Sequence, residues 1–161
     1  MVQEKTDASK VSLKAMAVMV REVITIDENA LVKEAAETMN KFEIGSIIAV
    51  KRRKATGIIT ERDLLKRIVA EGKSAKRTRV KEIMSRPLFF IAPDTDVEEA
   101  ARLMFEKKIK KLAVMDKNRL VGIVSLTDIA RSQPMAKFLL KLAALKDVPK
   151  NIKKVIDCYI V

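Results

Sequence analysis

The phrase GIITERD at residues 57–63 returns as GIVSLTD at residues 122–128, and that recurrence decides how the rest of the chain is read. Working back from it, an offset of 65 positions carries Met19 onto Met84, Ile26 onto Ile91, Val32 onto Val97, Ala35 onto Ala100, Met39 onto Met104 and Ile44 onto Ile109, without insertion or deletion. This spacing exceeds the roughly 20–50 residues of a solenoid unit, so each copy is a small α/β unit rather than one turn of an array. Copies this short bury too little apolar surface to stand comfortably alone, and the two are expected to complete each other's core.

Each copy spells strand, helix, strand, strand, helix. In the first, the β-branched run around Val23 and Thr25 predicts a short strand. Asp27 or Asn29 is placed to cap the helix that follows, whose apolar stripe is Leu31, Val32, Ala35, Ala36 and Met39. SIIAV gives a second strand, KRRKAT a hairpin tip, GIIT a third strand, and ERDLLKRIVAEG a helix closed by Gly72. The second copy repeats the order through FFIAP, DTDVEEAARLMFEKK and the hairpin KLAVMDKNRLVGIVS. Its last helix opens at Leu126–Thr127 and is stopped by Pro134. The boundaries expected are 1–14 for a leading segment, 15–76 and 77–132 for the repeats, and 133–161 for a tail of two amphipathic helices. In the second of these, Ile152, Val155, Ile156, Tyr159 and Ile160 share one face, packed against the repeats or across a dimer, with a membrane-surface or partner-docking helix as the alternative.

Composition excludes several classes of function. There is no histidine among 161 residues, which removes the usual general base and with it hydrolytic triads. The single cysteine, Cys158, leaves no Cys/His cluster for zinc and is expected in the core of a terminal helix. No catalytic residue and no metal site are expected, and the chain is read as non-enzymatic. The apolar runs fall far short of the roughly 20 residues of a membrane span, and the polar start lacks a signal-peptide core, which predicts a cytoplasmic protein with no transmembrane segment. Lys and Arg outnumber Asp and Glu by 33 to 21, a net charge of +12, suited to phosphorylated ligands, acidic partners or polyanions. The basic clusters, KRRK among them, lack interleaved aromatics, so nucleic acid is the second choice.

The recurring phrase places a hydroxyl and an acid three residues apart where a buried strand turns into a helix. Two readings stand. Thr60 with Asp63, and Ser125 with Asp128, are capping boxes. The same residue types also suit a nucleotide, because helix-start N–H groups favour anions and an Asp in the first turn can accept two bonds from a ribose diol.

The whole arrangement over residues 15–131 resembles a tandem pair of cystathionine β-synthase (CBS) domains. The likeness rests on the lead-ins at Val18–Met19 and Val80–Met84, the order of elements, and the doubled ending of Gly, two apolar residues, Thr or Ser, and Asp three places on. The chain departs from the family at SIIAVK and KLAVMD, which lack the proline often found there, and at Lys51, where an acid is usual. The resemblance implies an α/β (α+β) fold of two pseudo-symmetric repeats packed sheet to sheet, with the C-terminal helices outside it. It further implies two clefts for AMP, ADP, ATP or S-adenosylmethionine, a homodimer, and a regulated protein partner. Carried over, one cleft joins Thr60, Arg62 and Asp63 to Leu88, Ile109, Lys110 and Lys111, and is expected to be the better phosphate site. The other joins Ser125 and Asp128 to Val23, Ile44, Gly45 and Ser46. The remaining alternative is an interaction subunit whose clefts hold no ligand.

Overall fold

The computed structural model describes residues 12–132, 139–144 and 148–159. After a short lead-in helix α1 (Ala15–Val18), the first repeat runs β1 (Thr25–Asp27), α2 (Val32–Phe42), β2 (Ser46–Lys51), β3 (Lys54–Thr60) and α3 (Glu61–Leu64). The second runs α4 (Val80–Ile83), β4 (Phe90–Ile91), α5 (Val97–Lys107), β5 (Lys111–Asp116), β6 (Arg119–Ser125) and α6 (Leu126–Arg131). Residues 139–143 are helical, and α7 spans Lys150–Tyr159. The strands make two three-stranded sheets, β1-β2-β3 and β4-β5-β6, so the α+β architecture expected from the repeat is the one observed.

Two compact units divide the chain. One is formed by Val20–Ile91 with Leu112–Ile123, the other by the described residues of Met1–Met19, Ala92–Lys111 and Val124–Val161. In the first unit β1 lies parallel to β2, as a strand-helix-strand crossover requires, and β3 returns antiparallel. Ser46–Ala49 of β2 are all buried, while β3 alternates, burying Gly57 and Ile59. The apolar stripe of α2 turns Val32, Ala35 and Met39 inward, and these pack with Ile47, Ala49, Ile59, Ile68, Ile83 and Met84 in one cluster.

The lead-in to each repeat bonds to the last strand of the other. Val20 and Ile123 exchange two backbone bonds of 2.9 Å, and Ile58 and Ser85 exchange bonds of 3.1 and 2.8 Å. This explains Gly57 in the recurring phrase, because a Cβ there would lie 2.9 Å from the Ser85 carbonyl oxygen.

Both hairpins use a two-residue turn. Lys51 pairs with Lys54, leaving Arg52 and Arg53 at the tip with φ of 49° and 65°, and Lys117 and Asn118 adopt 45° and 65°. Positive φ at both central positions is the primed turn that suits the twist of the strands. It normally falls to Asn or Gly, and a left-handed conformation costs other residues about 1–2 kcal/mol each. One residue, Thr56, is extra in β3 where the register shifts between Ala49 and Val50, and its hydroxyl donates to the Ala49 carbonyl at 3.3 Å.

In the second unit α6 packs on α7 and on α5, with Ile129, Ala130, Ile152, Val155 and Ile156 buried. The tail helix therefore docks its apolar face within its own unit. Tyr159 lies at its end, and Ile160 and Pro134 fall outside the described residues.

Two expectations are corrected, the cap of α2 and the place of Cys158, and a third, the helix closed by Gly72, is refined. Neither Asp27 nor Asn29 caps α2: Asp27 Oδ1 accepts the Asn29 N–H at 2.7 Å, and Glu34 reaches back to the Leu31 N–H at 2.7 Å. The helix after GIIT does not stay regular, since Leu65–Val69 widen into a π turn closed by a bond from Ala70 to Leu65, before Gly72 ends it at φ 64°. Cys158 is exposed rather than buried, because the buried face of α7 is set by Ile152, Val155 and Ile156, and position 158 falls with Lys154 on the opposite side.

Candidate functional site

At the end of β3 the chain leaves the sheet at Thr60, whose backbone is extended, and enters α3 at once. The Thr60 hydroxyl donates to Asp63 Oδ2 at 2.7 Å and accepts the Asp63 N–H at 3.3 Å, while Asp63 Oδ2 accepts the Thr60 N–H at 2.9 Å. The same bonds recur between Ser125 and Asp128 at 2.6, 3.1 and 2.9 Å. Both phrases therefore close as capping boxes, one of the two readings the sequence supports.

The helix starts are less open to an anion than the sequence suggests. The Glu61 N–H is taken by the Gly45 carbonyl at 3.2 Å and the Leu126 N–H by the Lys110 carbonyl at 2.8 Å. With the Asp N–H groups also bonded, two of the first three helical donors are already satisfied in each copy, which leaves fewer of them for an anion.

The two acids differ in what else they touch. Asp63 is only 8% exposed, and its second oxygen accepts from Ser85 Oγ at 3.2 Å and faces the Arg67 guanidinium at 3.5 Å. Arg67 also donates to the Ile83 carbonyl. Asp128 is half-buried, and among the described residues no hydrogen bond or ion pair reaches its Oδ1. The difference is written in the sequence: the positions equivalent to Ser85 and Arg67 are Val20, which has no hydroxyl, and Ser132, which donates to the Ile129 carbonyl at 2.7 Å. Asp128 thus keeps an acceptor oxygen in a partly desolvated place, where a hydrogen bond to it is worth more than in water.

The other expected site residues are distributed as follows. Ser46 pairs with Thr60 in the ladder and Gly45 bonds to α3, so both lie at the Thr60 junction, with Ile44 preceding them. Lys110 bonds to α6 and lies at the Ser125 junction, between half-buried Ile109 and Lys111. The cross-repeat groupings expected from the resemblance draw their members from both compact units. Arg62 is exposed on α3. Leu88 lines a cavity of about 540 Å³ with Arg86, Phe90 and Met115, and Val23 lines another of about 650 Å³. Sequence reasoning missed Ser85 and Arg67. Arg67 carried a signal, its i,i+4 spacing from Asp63, whereas Ser85 arrives through the exchanged lead-in and carried none.

Among the described residues no group of His, Cys, Asp or Glu could hold a metal ion, and no helix is long and apolar enough to cross a membrane.

A family model described as CBS domain matches twice, over residues 15–70 and 80–134. The chain is similar to the CBS domain-containing protein YhcV of Bacillus subtilis, 36% identical over 115 residues that make 71% of this chain and 81% of that one. Its match spans 59% and 52% of two further curated relatives. Among solved structures it is similar to the CBS domain pair of protein MJ0100 in complex with 5′-methylthioadenosine and S-adenosyl-L-methionine. That match has 30% identity, 74% and 94% coverage of the two chains, and a TM-score of 0.67. It is also similar to a hexameric CBS-CP12 protein from bloom-forming cyanobacteria, with 26% identity, 91% and 95% coverage and a TM-score of 0.72.

Proposed function

We propose, from the premise that this chain belongs to the CBS domain family in both of its repeats, that it is a non-enzymatic regulatory module for an adenosine-containing ligand. The ligand's ribose diol bonds to the acid of a strand-to-helix junction, and occupancy is passed to a protein partner. The observation that carries this reading is the half-buried Asp128, which caps its helix through one oxygen and holds the other uncommitted. A carboxylate oxygen held this way can accept from a 2′- or 3′-hydroxyl, and bonds to a charged acceptor are the stronger kind. The similarity to a CBS pair that holds 5′-methylthioadenosine and S-adenosylmethionine supports the ligand class. With the helix-start donors engaged, the nucleoside part contributes most of the affinity, and Lys110 beside the Ser125 junction favours an added phosphate.

The module acts by differential affinity, because a ligand that binds two arrangements equally shifts neither. Self-association as a homodimer belongs to the same reading, and the similarity to a hexameric CBS-CP12 protein supports assembly of copies.

The test is a calorimetric titration of 5′-methylthioadenosine, S-adenosylmethionine and AMP into the wild type, Asp128→Ala and Asp63→Ala. At least one ligand should bind, with an affinity lowered tenfold or more by Asp128→Ala and less by Asp63→Ala. Binding by none of the three, or equal affinity in all three proteins, overturns the reading.

A further inference from the structure

At the turn end of the β2–β3 hairpin, four arginines line one cavity. Arg21 before β1, Arg52 and Arg53 at the first hairpin turn, and Arg119 at the start of β6 line a cavity of about 650 Å³, together with Asp27 and Asn118. All of these residues belong to one compact unit. The lining holds four arginines, of which Arg21 has a partner of its own, and one carboxylate, Asp27, whose Oδ1 accepts the Asn29 N–H. None of the ion pairs among the described residues uses Arg52, Arg53 or Arg119, and all three are exposed.

Like charges gathered on a concave surface repel one another and raise the local concentration of anions. The turn adds a second, independent observation. Arg52 and Arg53 both hold left-handed backbone where Asn-Gly would relax the strain, and the equivalent turn already places Asn at 118. Strain of this kind, retained at two adjacent charged residues, points to function rather than folding. The cavity is also separate from the Thr60 junction. Lys54 and Thr60 lie at opposite ends of β3, about 20 Å apart at the rise of a strand.

We propose that this cavity is a binding site for a compact polyphosphate anion, with two or more phosphate groups held by bidentate arginines. Guanidinium forks match phosphate geometry, and several converging on one cavity favour a ligand with several charged groups over a single one. The volume fits a small ligand. No aromatic residue lines the cavity, which disfavours a nucleobase or a single strand that binds by stacking. The site rests on the arginines and not on the adenosyl reading, although Val23, which the resemblance places in the Ser125 cleft, lines it too.

The test uses the full chain with inorganic tripolyphosphate as probe, titrated calorimetrically in magnesium-free buffer, alongside orthophosphate and a short single-stranded oligonucleotide. The informative variant is Arg52→Asn combined with Arg53→Gly, which installs the preferred turn pair and should melt at or above the wild-type temperature. Saturable one-to-one binding of tripolyphosphate is expected, at least tenfold tighter than orthophosphate. The double variant and Arg119→Gln should each weaken it tenfold or more, while Asp63→Ala and Asp128→Ala leave it unchanged. Tripolyphosphate binding that is indifferent to the arginine variants overturns the site. Tighter binding of the oligonucleotide, lost in the same variants, overturns it in favour of a nucleic-acid surface.

Discussion

Gly57→Ala isolates what the fold demands of the recurring phrase from what a ligand would demand. A Cβ at Gly57 would lie 2.8 Å from Met84 Sδ, 2.9 Å from the Ser85 carbonyl oxygen and 3.1 Å from Met84 Cγ. The oxygen cannot swing aside, because it accepts from the Ile58 N–H at 3.1 Å while Ser85 donates back at 2.8 Å. Met84 is 5% exposed and belongs to the buried core cluster. Overpacking of this kind costs about 1–3 kcal/mol. Against it stands a gain of about 0.4–1 kcal/mol from the stiffer unfolded chain, available because Gly57, unlike Gly72, is not among the described residues with positive φ. The net expectation is a loss of about 1–2 kcal/mol. Two other glycines calibrate it. Gly72→Ala meets nothing within 4 Å but must hold φ at 64°, a cost of about 1 kcal/mol. Gly45→Ala meets only the end of the exposed Glu61 side chain at 3.1 Å, and should stay within about 0.5 kcal/mol. Urea unfolding followed by circular dichroism reads all three as midpoint shifts at constant slope. If Gly57→Ala matches the wild type, or Gly45→Ala costs the most, the packing argument is wrong.

Other perturbations follow from the same geometry. Asp63→Ala should cost about 1–3 kcal/mol, since it strips partners from the Thr60 N–H, Ser85 and Arg67 together; chemical denaturation should show it to be more damaging than Asp128→Ala. Ile156→Ala, at 1% exposure in α7, should lose about 2–5 kcal/mol. Exposed Lys153→Ala on the same helix should be nearly silent, and equal effects would show that the tail is not docked as described. Hydrogen bonds first from Lys14 and then from Ser12 hold the Asp96 carboxyl below its ordinary value of 3.8. Its folded pKa is depressed, so its contribution is present above the ordinary value and disappears as pH falls through the folded one. Unfolding midpoints of the wild type and Asp96→Asn should therefore differ at neutral pH and converge in strong acid; a constant gap would refute the assignment.

The sequence showed most clearly what is local and doubled. The gapless offset, the two hydroxyl-acid caps and the glycine ending the first repeat all rest on short-range rules, and each is where those rules put it. Less legible was whatever depends on distant segments. The Glu34 back-bond displaced the Asp27 cap because Asp27 had a nearer donor in Asn29. The inequality of Asp63 and Asp128 comes from Arg67, whose spacing was legible, and from Ser85, which the exchange of lead-in segments brings in and no spacing in the sequence announces. The arginine cavity is likewise assembled from three separate stretches, only one of which, KRRK, reads as basic by itself.

The central claim is that a ribose diol is read by a junction carboxylate, and the ligand can be altered while the protein is left intact. Calorimetric affinity for adenosine should be at least tenfold greater than for 2′,3′-dideoxyadenosine, a difference of about 1.4 kcal/mol or more. Equal affinity for the two would mean that neither Asp128 nor Asp63 recognises the sugar, and would contradict the account.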